Sequence, residues 1–189
     1  MENIKKIAIT TVEDFLGVEL QRNKISLGFD TSVHSTGIVI IRTTKSYLMV
    51  DEIYKLNVPK KVKNEDAIDL FTEQLDSFKE RISRKYKIDF ATIEHCFYGG
   101  NPNTLIALAR HAVLVYDRFK RITNITKFLL ATSARKKVKF EKSNKKNTGY
   151  KLKKDIVNFI NNALNLKLKM KDQDIADACV LALAGLVEE

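Results

Sequence analysis

A chain of 189 residues with 44% hydrophobic content is long enough for one domain with a core of its own and short for two. Its 33 Lys and Arg against 23 Asp and Glu leave a formal charge of +10, which favours a polyanionic partner, nucleic acid foremost, because neutralised phosphates release counterions. Two cysteines far apart exclude a disulfide framework or a Cys-based zinc site and fit a reducing cytoplasm, while the lack of any run near about 20 apolar residues argues against a membrane span.

In chain order, Glu2, Glu13, Asp14 and Glu19 interrupt the apolar residues of the leader, so residues 1–24 do not read as a signal peptide. They form an extension of unknown role in which residues 11–14 could cap a short helix. Residues 25–30 make a mostly apolar strand ending in Asp30, and residues 37–41 a second strand of the same hairpin. Residues 47–54, rich in strand-forming types, complete a three-stranded meander. Ile68, Phe71, Leu75, Phe78 and Ile82 recur at steps of three and four, predicting a helix between residues 64 and 87 that covers one side of a sheet. Residues 90–94 return as a strand parallel to the first.

After the turn at Gly99 to Pro102, residues 104–119 form a helix apolar on most faces, to be buried by the core or by a partner subunit. Residues 126–130 read as a fifth strand. Residues 135–154 are lysine-dense, with Gly149 and several Asn marking a mobile loop. Residues 156–164 and 175–187 follow as helices, the last amphipathic. This order predicts an α/β domain over residues 25–189, with a mixed five-stranded sheet flanked by helices on both faces.

Asp30 ends the first strand, Glu94 ends the fourth, and Asp174 and Asp177 open the last helix on one side of it. If the first and fourth strands are neighbours, Asp30 and Glu94 meet at the sheet end where open α/β sheets place their sites. Like charges 4 Å apart repel by roughly 4 kcal/mol at an effective dielectric of about 20, a penalty that divalent cations remove. An oxygen-only set suits Mg²⁺, or Mn²⁺, and two such ions about 4 Å apart form the clamp used in phosphodiester hydrolysis. By themselves, Asp174 and Asp177 are also what a helix dipole favours near its N-terminus. His34, His95 and His111 have no metal-ligand spacing among them, and strand alternation turns His95 away from Glu94.

The acidic motifs in this order resemble the RuvC-type Holliday-junction resolvases of the ribonuclease-H-like superfamily. Leu27-Gly28-Phe29-Asp30 with Thr36-Gly37 is similar to that family's opening hairpin. Ile93-Glu94-His95-Cys96-Phe97 resembles its segment bearing a catalytic Glu and, three residues on, a DNA-contacting aromatic. Asp174-Ile175-Ala176-Asp177-Ala178 resembles its Asp-Ala-Ala-Asp-Ala helix start, and Ala134-Arg135 its basic segment. The sequence departs from the family at Thr31-Ser32, where Pro-Gly is usual, in an enlarged loop at residues 140–150, and in residues 1–24, which typical cellular members lack.

The resemblance implies a ribonuclease-H-like fold, with Asp30, Glu94, Asp174 and Asp177 as the catalytic set binding two Mg²⁺ or Mn²⁺ ions. It implies that Phe97 stacks on an unpaired base, and that Arg135, Lys136, Lys137, Lys139, Lys153 and Lys154 contact phosphates, one lysine steadying transition-state charge. It also implies a homodimer, paired through the helix around residues 105–116, that nicks opposed strands of four-way and other branched DNA. The short Lys- and Asn-rich chain suggests a phage-encoded member, at work in a bacterial or phage-infected cytoplasm. Two other readings stay open, a junction-binding module without hydrolysis and an actin-like ATP-binding phosphotransferase. The second would need a duplicated domain, and no second Asp-x-Gly hairpin occurs.

Overall fold

In the computed structural model, which describes residues 6–62, 64–96, 102–143 and 146–188, the sheet is built around β2 (Ile25–Asp30). β2 pairs antiparallel with β3 (Ser35–Thr43), and β3 antiparallel with β4 (Tyr47–Asn57). On its other side β2 runs parallel to β5 (Ile88–Glu94), and β5 parallel to β6 (Thr123–Leu129). Nearly every residue of β2 and β3 is buried on both faces, as central strands covered by helices require.

The sheet has six strands rather than the expected five. The additional one, β1 (Lys6–Ala8), lies antiparallel against Tyr47 to Met49 of β4 and gives the order β1-β4-β3-β2-β5-β6. Three residues are too few to display alternation, so only the partner strand reveals it.

Directly after it, α1 (Ile9–Leu16) buries Ile9, Val12 and Leu16 in the main core. Its start is Ala8, without a side-chain cap, so the expected cap at residues 11–14 is not formed. Gly17 closes the helix in the left-handed region at φ 63°, a conformation that glycine adopts without Cβ strain. Glu13 then receives the Leu20 amide at 2.7 Å and both ends of the Arg22 guanidinium at 2.6 and 2.7 Å.

One face of the sheet is covered by α2 (Asn64–Ser83) and α3 (Pro102–Phe119), packed around Phe29, Phe71, Phe78 and Phe119. The other face carries α1, α4 (Ala131–Lys137), α5 (Gly149–Leu164) and α6 (Gln173–Leu186). The described part of the lysine-dense segment is helical at both ends. α5 begins at Gly149, so Lys153 and Lys154 ride on a helix anchored by Ile156, Val157 and Ile160. Lysine is a good helix former, so the helix expected from residue 156 extends back through the charged run to Gly149.

α6 is not amphipathic as expected, because every residue from Ile175 to Leu186 except Asp177 is buried. It crosses β2, β3 and β5 at close range. A Cβ on Gly28 would lie 1.9 Å from the carbonyl oxygen of Ala178, and one on Gly37 2.3 Å from that of Asp174. α3, by contrast, buries only one side, and Ile106 and Val113 stand 50% and 57% exposed on the other.

Candidate active site

β2 and β5 run in parallel register, Gly28 beside Thr92 and Phe29 beside Ile93. One step further brings Asp30 level with Glu94 at the carboxyl end of the sheet. Burial pushes the Asp30 carboxyl well above the usual range, and the Glu94 hydrogen bond adds to it, followed by the charges of Glu94, Asp177 and Asp174. The glycine notches at positions 28 and 37 let α6 lie flat on the sheet, so its first turn delivers Asp174 and Asp177 to the same end.

Two carboxylates in this group already hold cations of the chain itself. Asp174 accepts the Ser35 hydroxyl at 2.6 Å and the Lys55 ammonium at 3.0 Å. Asp177 accepts Arg135 at 2.9 Å. Burial raises the Asp177 carboxyl, the charge and hydrogen bond of Arg135 oppose that, Glu94 raises it further and Lys153 lowers it. Among the described residues no three His, Cys, Asp or Glu side chains stand in a metal-ligating arrangement. The donors are nonetheless all oxygens, and Asp30 and Glu94 repel one another unless they share a proton. That chemistry fits a hard divalent cation.

The remaining expected residues divide. Phe97 lies outside the described residues. Arg135 points into the acidic group instead of outward. Lys136, Lys153 and Lys154 are exposed and Lys137 is half-buried. Lys139 is spent elsewhere, as its ammonium bonds the carbonyl of Gly17 at the end of α1. His95 bonds the adjacent Cys96 carbonyl and meets Phe128 edge-on, away from the acids.

Ser35 and Lys55 escaped the sequence reading. Nothing in their local spacing marks them, and the signal is the hairpin register that sets Lys55 opposite Gly37.

The sequence and the fold both have known counterparts. The family model described as crossover junction endodeoxyribonuclease RuvC matches residues 26–185. The chain is 26% identical over 161 residues to the protein of that name from Aliarcobacter butzleri (strain RM4018), covering 83% of this chain and 94% of the relative. Over 158 residues it is 26% identical to the Helicobacter pylori (strain Shi470) protein, covering 83% and 92%. Among solved structures, T. thermophilus RuvC in complex with Holliday junction substrate superposes with a TM-score of 0.63 at 10% identity, over 85% of this chain and 91% of the other. The yeast mitochondrial Holliday junction resolvase Ydc2 gives 0.54 at 11% identity, over 92% and 82%. The shared fold is the ribonuclease-H-like one expected from the sequence.

Proposed function

Because the chain belongs to the crossover junction endodeoxyribonuclease RuvC family, we propose that it resolves four-way and other branched DNA by hydrolysing phosphodiester bonds at Asp30, Glu94, Asp174 and Asp177. The observation that carries this reading is the parallel register that ends β2 and β5 side by side at Asp30 and Glu94, with α6 seated over Gly28 and Gly37 so that Asp174 and Asp177 start at the same end. Those four side chains would hold divalent ions, Mg²⁺ or Mn²⁺ and two per site. When bound, the ions supply Lewis acidity toward phosphate oxygens and water.

The chain's own contribution is to collect and orient. Lys136, Lys153 and Lys154 offer exposed ammonium groups for phosphates, Lys153 near enough to act on Asp177, and Arg135 keeps a fixed positive charge at Asp177. Phe97 follows Glu94 by three residues, and in this reading it stacks on an unpaired base at the branch point.

The uncovered side of α3, with Ile106 and Val113 seven residues apart on one stripe, suits an isologous homodimer. Two active sites about a twofold axis match a junction with opposed strands to cut. Among the described residues no helix is long and apolar enough to cross a membrane, and we assign the protein to the cytoplasm of a bacterial or phage-infected cell.

The test is cleavage of a labelled four-way junction and of linear duplex in Mg²⁺, Mn²⁺ or EDTA. Paired nicks in the junction alone, lost in EDTA, are expected. Asp30→Asn should still bind the junction in Ca²⁺ and fail to cut it. Equal cutting of duplex and junction, or wild-type cutting by Asp30→Asn, overturns the reading; tight binding with no cutting by the wild type would make it a binding module.

A further inference from the structure

Asp174 is gripped in an asymmetric way. The Ser35 hydroxyl and the Lys55 ammonium both bond Oδ2, at 2.6 and 3.0 Å, and neither of these contacts engages Oδ1. The two grips come from different strands, Ser35 at the start of β3 and Lys55 near the end of β4. Ser35 is itself fixed, because its amide donates to Ser32 Oγ at 3.0 Å while its carbonyl accepts that hydroxyl at 2.6 Å. Lys55 stands directly across the ladder from Gly37, the residue over which the backbone of Asp174 lies. A Cβ at Gly37 would meet Asp174 carbonyl atoms at 2.3 and 2.6 Å. The notch at Gly37 thus seats the first turn of α6, and the flanking residues of the same hairpin reach round it to one oxygen of the side chain.

We infer that Ser35 and Lys55 are positioning residues for Asp174, fixing it through Oδ2 so that Oδ1 is the oxygen offered to a divalent cation. This rests on the metal site proposed above. A carboxylate on the first turn of a helix has several rotamers, and a ligand that must select one on binding loses affinity for the ion. Hydrogen bonds to the oxygen not used for ligation remove that cost, and losing such outer contacts lowers metal affinity about 10- to 100-fold. The opposite role, a lysine competing with the ion for the carboxylate, predicts the opposite sign.

The experiment is a Mn²⁺ titration of the full chain without DNA, following the paramagnetic resonance of free Mn²⁺, beside melting in EDTA. Lys55→Met and Ser35→Ala should each weaken Mn²⁺ binding about tenfold or more, and Lys55→Arg and Ser35→Thr should restore most of it. The Mg²⁺ concentration for half-maximal junction cleavage should rise by the same factor, with the rate at saturating Mg²⁺ largely kept. Unchanged or tighter Mn²⁺ binding in Lys55→Met overturns the inference, as does a loss confined to DNA affinity. Ser35→Ala, which removes a single oxygen, decides the matter should Lys55→Met not fold. If Asp30→Asn lowers Mn²⁺ affinity while the Lys55 and Ser35 variants do not, only the positioning role fails. If the wild type binds no Mn²⁺, or Asp30→Asn binds it equally well, the metal site itself fails.

Discussion

Asp30 and Glu94 end two neighbouring parallel strands, and burial, with Glu94 beside it, holds the Asp30 carboxyl well above the usual carboxylate range. A carboxyl raised in this way costs the fold stability at neutral pH, whether it keeps its proton or ionises. Removing one charge is therefore expected to stabilise the metal-free protein while abolishing its chemistry. In EDTA, Asp30→Asn should melt several degrees above wild type, for a gain of about 1–2 kcal/mol. Adding Mg²⁺ should raise the melting temperature of the wild type and leave that of the variant in place. Calorimetry in the two buffers checks this, and a variant that melts below wild type in EDTA contradicts it.

Glu13 has its carboxyl held below the usual range by the Arg22 guanidinium, with the Leu20 amide assisting against burial. Since the folded value is depressed, the contribution is complete above the ordinary carboxylate range and is lost as pH falls through it toward the depressed value. With Arg22 about a third exposed, solvent screening limits the effect to about 1 kcal/mol. Glu13→Gln should lower stability by that amount at neutral pH. Below about pH 4 the difference from wild type should shrink, as urea melts at several pH values would reveal.

Gly28 faces the backbone of α6 so closely that a methyl group would sit 1.9 Å from the Ala178 carbonyl oxygen. Backbone cannot swing aside as a side chain does, so Gly28→Ala should push α6 off the sheet. Overpacking of this kind costs about 1–3 kcal/mol or more. Asp174 and Asp177 move with the helix, and junction cleavage should fall far more than the stability loss alone explains. Wild-type melting and activity in Gly28→Ala would show that the helix can shift freely.

Lys139 and Lys136 lie three residues apart, yet only Lys136 is free of the bond to the Gly17 carbonyl that ties Lys139 to α1. Lys136→Ala should weaken junction binding and lower the salt slope by about 1. Lys139→Ala should leave that slope alone and cost about 0.5–1.5 kcal/mol of stability. Binding isotherms at several salt concentrations, with melts of both variants, separate the two; equal salt slopes would undo the distinction.

The sequence by itself determined the order of the main elements and the chemistry at their ends. Periods of two and of three to four residues are local properties, so β2, β5, α2 and α3 could be read from spacing. The acids at the ends of β2 and β5 and at the start of α6 followed from those boundaries, and with them the resemblance to resolvases.

Tertiary structure alone decided what depends on contacts between distant segments. β1 exists only because β4 offers an edge, and α1 because α5 and the sheet accept its apolar side. Lys139 and Lys136 look alike along the chain and are parted by the place where α1 ends. Lys55 reaches Asp174, 119 residues further along the chain, through a hairpin register and the missing methyl group at Gly37 that lets α6 close on the sheet. Such pairings carry no periodicity, because the free energy that selects them is released only when both surfaces have formed.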